Sequence, residues 1–159
     1  MKAIIILNRC RAAEKDLATI QEKIERRRER LDDTSAPQVD PNGGSHGSGD
    51  KDKTGRLMGE IDALERQLQA RKDAKNAEEV AVIALVDRLP DLEGKVIYKY
   101  YVKRMDTTAI AKDPKDPRNR YTAGYIRKVK RNAEQLLDMV GQDLVDATLP
   151  AWYLERRGE

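Results

Sequence analysis

The strongest constraint on the fold of this chain is a heptad stripe. From about Asn8 to Asp33, apolar residues recur at Ala13, Leu17, Ile20, Ile24 and Leu31, with Arg27 at the one polar seam position. Steps of four and three keep these side chains on one side of an α-helix, as a seam that needs an apolar partner. The spacing predicts one long helix, with Ala3 to Leu7 as its opening turn. Leu57, Ile61, Leu64 and Leu68 restore the stripe on a second helix, which is expected to continue through Ala77, Val80, Ile83 and Val86 toward Leu89. Pro90 stops it. Between the helices, Thr34 to Gly55 hold two prolines, five glycines and three serines, with almost nothing apolar beyond Ala36 and Val39. Such a composition does not offset ordering entropy, so a flexible connector is expected. The two stripes either close on each other as an antiparallel hairpin or pair between chains as a homo-oligomer, and the connector is long enough for both.

Charged residues make up 37% of the 159, aromatics are sparse and Phe is absent, so cores are small and the fold class expected is all-α. One cysteine, Cys10, and one histidine, His46, cannot build a disulfide framework or a Cys/His metal site. The apolar run Ala3 to Leu7 is too short for a signal-peptide core or a membrane span, so no membrane partner and a cytoplasmic location are expected. Gly43, Gly44, Gly47 and Gly49 precede no strand and open no helix at once, so no phosphate cradle is expected of them. There is no nucleophile with a partner base and no carboxylate cluster beside a histidine. The expectation is a protein with neither catalytic activity nor cofactor.

The formal net charge of +3 hides an asymmetry. Lys95, Lys99, Lys103, Arg104, Lys112, Lys115, Arg118, Arg120, Arg127, Lys128, Lys130 and Arg131 fall in one window against only Asp106, Asp113 and Asp116, whereas the preceding chain is near neutral and the following chain acidic. A basic surplus confined to one module is the footprint of a polyanion binder. The other basic block, Glu25 to Arg30, carries glutamates of its own and reads as a solvated helix face.

Between Pro90 and Val140 the pattern changes to three shorter helical segments. Leu92 to Val102 turns Leu92, Val96, Ile97, Tyr100 and Tyr101 inward; Thr107 to Lys112 is capped by Asp106 or Thr107 and buries Ile110 and Ala111. The third segment, capped by Thr122, buries Ile126, Val129, Ala133, Leu136 and Leu137. Its opposite face carries Ala123, Gly124, Arg127, Lys128 and Arg131. Small residues at the front let the backbone approach a groove, and the long basic chains behind reach bases and phosphates. In a helix-turn-helix the second helix enters the major groove in this way. Tyr98, Tyr100 and Tyr101 read as core rather than as a stacking platform for single strands. Trp152 and Tyr153, after an acidic helix, are either interface anchors or docked on their own bundle.

The runs Leu89 to Asp91, Val96 to Val102, Thr107 to Ala111 and Tyr121 to Ile126, with Ala133 to Leu137 behind them, resemble the helix-turn-helix of sigma factor region four. With the interrupted hairpin in front, the whole chain resembles phage-encoded transcriptional regulators of the ArpU and RinA type, strongly over residues 89–140. The resemblance implies an N-terminal coiled-coil helical hairpin (1–33, connector 34–55, 56–89), a helix-turn-helix domain (90–141) and a C-terminal tail (142–159). It further implies sequence-specific binding to double-stranded DNA and contact with RNA polymerase in a bacterial host. Ala123, Gly124, Arg127 and Lys128 then fall where bases are read, and Thr107, Thr108 and Tyr125 near the backbone; Thr122, Lys130 and Arg131 complete the contact set. This chain departs from the family by inserting Lys112 to Arg120 where the turn is usually tight. The insert either offers Lys115, Arg118 and Arg120 to phosphate as a basic wing or changes the angle between the two helices. A DNA-packaging subunit similar to the small subunit of terminase, and a coiled-coil interaction module, are the alternative readings.

Overall fold

A computed structural model describes residues 2–35, 49–116 and 121–158. The fold is all-α: helices α1 (Ala3–Ser35), α2 (Gly49–Val86), α3 (Asp91–Ile97), α4 (Thr107–Ala111), α5 (Ala123–Met139), α6 (Gln142–Thr148) and α7 (Ala151–Arg157), with no strand among the described residues. The expected connector is shorter than its composition suggests, because helix continues through Ser35 and resumes at Gly49. The remainder, residues 36–48, lies outside the described residues, as do Arg118 and Arg120.

The chain divides into two compact units, Glu14–Asp73, and Met1–Ala13 with Ala74–Glu159. In the first, Ile20 and Ile24 of α1 pack with Ile61 of α2, flanked by Leu31, Leu64 and Leu68. Each stripe therefore finds an apolar partner in its own chain. Ion pairs set the direction: Asp16 meets Arg71 at 3.6 Å and Arg27 meets Glu60 at 2.7 Å, so the segments run antiparallel. Arg27, the polar seam position, is thus satisfied across the helix pair.

In the second unit the α1 stripe extends back through Cys10, Ile6 and Ala3, all buried, and α2 answers with Ala77, Ala81, Val82 and Leu85. Here the expected seam is corrected. Val80 and Ile83 are 42% and 41% exposed, while Glu78, Val82 and Leu85 are buried. Counting fours and threes onward from Leu68 passes through Arg71 and Lys75 to Glu78, Val82 and Leu85, so the seam keeps its register through polar residues and the apolar Val80 and Ile83 fall off it. Buried Glu78 accepts a hydrogen bond from the Tyr153 hydroxyl at 2.6 Å and pairs with Arg157 of α7. The C-terminal segment is thus two helices rather than a tail, with Val145, Leu149 and Tyr153 in the core. Tyr153 docks on its own unit, whereas Trp152 stays 46% exposed.

The chain leaves α2 before Pro90, which disfavours helix at the residue preceding it. It re-enters helix at Asp91, with Asp91 and Glu93 in the first turn complementing the helix dipole. Gly94 lets α3 approach the end of α2 closely: a Cβ there would lie 3.2 Å from the Val86 carbonyl oxygen, a tight contact. After α3 the backbone widens into a π-helical turn over Tyr98–Val102, and Arg104 ends it at φ 57°, its guanidinium bonded to the Val102 carbonyl at 3.2 Å. This turn places Ile97, Tyr101 and Val102 together in the core.

Candidate nucleic-acid interface

The basic window is held by a small apolar cluster: Val96 of α3, Ile110 of α4, and Ile126 and Val129 of α5, with Leu92, Met105 and Ala111 around them. The starts of α4 and α5 are both capped. The Asp106 carboxylate accepts from the Ala109 amide at 2.7 Å and the Thr122 hydroxyl accepts from the Tyr125 amide at 3.2 Å, which satisfies amides that have no partner inside the helix. Because Ile126, Val129, Ala133 and Leu137 face inward, the opposite side of α5 is fixed in space. Leu136, expected with them, is instead 42% exposed, since it sits at the edge of the buried stripe.

Gly124, Tyr125, Arg127, Lys128 and Arg131 are all exposed on α5, and Ala123 is half-buried at its start. Arg127 Nε donates to the Thr107 hydroxyl at 3.4 Å, so Thr107 is half-buried and orients the guanidinium while Thr108 beside it stays exposed. Lys130 lies elsewhere. It is half-buried, paired with Glu134 at 2.7 Å and 4.5 Å from the centre of the Tyr100 ring, which takes its ammonium away from the outward face.

The described part of the insert, residues 112–116, is tied down. Lys99 pairs with Asp113 at 2.9 Å and Asp116 at 3.7 Å, and the Asp113 carboxylate also accepts from the Lys115 amide at 3.0 Å. The hydrogen bond from Lys99, followed by that backbone bond, holds the Asp113 carboxyl below the usual carboxylate range. Lys115 is exposed and lines a cleft of about 640 Å³ with Lys95, Lys103 and Tyr98. Two of the acidic residues in the window are therefore engaged with Lys95 and Lys99, leaving Lys103 and Lys115 turned to the cleft.

The tyrosines divide by role. Tyr101 is buried, and its hydroxyl donates to Glu134; burial first, and that bond second, push its ionisation far up, so it is a neutral structural group. Tyr100 carries Arg11 at 3.7 Å from its ring centre as well as Lys130. Neither ring is open to stacking. Tyr121 escapes sequence reasoning: its ring stacks on Tyr125 with centroids 4.9 Å apart and 27° between planes. The signal available for it is the i, i+4 spacing of two aromatics across a helix start. Cys10 is buried, and burial followed by the nearby Glu79 raises its thiol to about 11, which keeps it unreactive. No group of residues able to hold a metal occurs among the described residues, and no helix there is long and apolar enough to cross a membrane.

No protein-family model, curated protein or solved structure matches this chain.

Proposed function

We propose that this chain is a sequence-specific, double-stranded DNA-binding transcriptional regulator of phage or prophage genes, similar to the ArpU and RinA type, in which α4 and α5 act as a helix-turn-helix. The observation that carries the reading is the outward face of α5, where Gly124, Arg127, Lys128 and Arg131 stand exposed directly opposite the buried Ile126, Val129 and Ala133. A helix so presented can enter the major groove with its small residues leading, and guanidinium groups there find the O6 and N7 acceptors of guanine. Lys103 and Lys115, which line the cleft beside α3, are further cations available to phosphate. Contact with RNA polymerase belongs to this reading through the resemblance; assembly between copies enters it from the heptad stripes, and a cytoplasmic setting from the lone Cys10 and the short apolar start. It assigns the chain no reaction.

The test is a salt titration of binding to short duplexes by fluorescence anisotropy. Affinity is expected to fall linearly in log–log form with salt, and the Lys128→Ala/Arg131→Ala variant is expected to flatten the slope by about 0.9 for each phosphate that it no longer neutralises. An unchanged slope and affinity in that variant would move the interface off α5.

A further inference from the structure

We propose that the stacked Tyr121–Tyr125 pair reads thymine through its 5-methyl group, which makes it a specificity determinant rather than a backbone contact. This deepens the reading of α5 as a recognition helix and rests on it. Three observations carry the inference. First, Tyr121 and Tyr125 are 40% and 43% exposed, so the pair offers surface to solvent at the leading end of a helix whose outward residues include Gly124, Arg127, Lys128 and Arg131. Second, the rings stack on each other, which fixes the patch before any ligand arrives; a tyrosine that only donates its hydroxyl to phosphate needs no such partner. Third, the exposed residue between them on the first turn of α5 is Gly124, which has no side chain to hold a groove wall away from the rings. The thymine methyl is the apolar group that a base pair presents in the major groove, and it matches this patch in chemistry.

The experiment uses duplexes recovered by the intact chain from a random pool, each remade with deoxyuridine at one thymine at a time. Uracil pairs as thymine does and lacks only the methyl. The wild-type chain is expected to lose about fourfold in affinity at one or two positions, the equivalent of one buried methyl-sized group. Tyr125→Phe, which keeps the ring, should retain that sensitivity, and Tyr121→Ala/Tyr125→Ala should bind the thymine and uracil duplexes equally. Wild-type indifference to every substitution overturns the proposal, as does a thymine preference that survives undiminished in Tyr121→Ala/Tyr125→Ala, which would place the methyl contact on another side chain. Failure to recover any bound duplex overturns the DNA-binding reading itself, a separate outcome.

Discussion

At the residue scale, the side chain with the most specific expected role is Arg127. Thr107 holds its Nε, leaving the terminal nitrogens of the guanidinium as the fork that can meet guanine. Arg127→Ala is expected to cost about 1 to 3 kcal/mol on a preferred site and much less on scrambled DNA. Thr107→Val removes the acceptor yet keeps the shape, so it should narrow the same preference by a smaller amount. A competition assay between preferred and scrambled duplexes measures both, and equal losses on the two duplexes would show that Arg127 meets phosphate. Residues whose roles depend on sequence neighbours are legible in the sequence: Asp106 and Thr122 cap because they stand three residues before the amides they accept from. Lys130 is not legible, since its partners include Tyr100, thirty positions away in the chain, and helical phase alone leaves it beside the basic face.

At the scale of elements, helices and their seams follow from period, while their ends and their polar fastenings do not. The stripe through Ile20, Ile24, Ile61 and Leu64 is readable, and the seam it forms is closed within one chain. Ile24→Ala should therefore destabilise the Glu14–Asp73 unit by about 2–5 kcal/mol from impaired packing alone, with DNA affinity retained. Chemical denaturation followed by circular dichroism, alongside anisotropy, distinguishes this from a general loss of fold. The register of α2 beyond Leu68 is easily misread because apolar Val80 and Ile83 outweigh a seam that passes through Arg71, Lys75 and Glu78; only the Tyr153 and Arg157 partners of Glu78 reveal why a carboxylate sits there. The insert illustrates a fastening with a pH signature. Since the Asp113 carboxyl is held below its ordinary value of 3.8, the Lys99 tie is fully present above that pH and is lost as pH falls through the lower folded value. Amide resonances of residues 112–116 should shift only at the acidic end of a titration, and Asp113→Asn should mimic that end state at neutral pH. A transition near neutrality would point to a different group.

At the scale of the whole molecule, the boundary of the unit bearing the basic face differs from the one the basic window suggests, and this changes what can be removed. Charge concentrates between Lys95 and Arg131, yet the core beneath includes Ile6, Leu7 and Cys10 at 0% exposure and Ala81, Val82 and Leu85 at 0–2%. Long-range burial of this kind has no local signature, which is why the sequence suggests a division at residue 89. Removing Met1–Ala13 deletes Ile6, Leu7 and Cys10 together. Large core truncations cost roughly 2–5 kcal/mol each, and a domain holds only about 5–15 kcal/mol in all. This truncation is therefore expected to abolish cooperative thermal unfolding and DNA binding together, even though no basic residue of the proposed interface is touched. The complementary deletion should do the opposite. Antiparallel register sets Ala13 against Ala74, since Asp16 meets Arg71 at 3.6 Å beside them, so a short Gly- and Asn-containing turn can replace Glu14–Asp73. The shortened protein should unfold cooperatively and bind duplex DNA with an unchanged salt slope, because its core and the outward face of α5 are both intact. Retained binding after loss of Met1–Ala13 would show that α3 to α5 fold on their small cluster alone. Loss of binding in the shortened but folded protein would place part of the DNA contact, or the avidity of a second copy, in the Glu14–Asp73 unit.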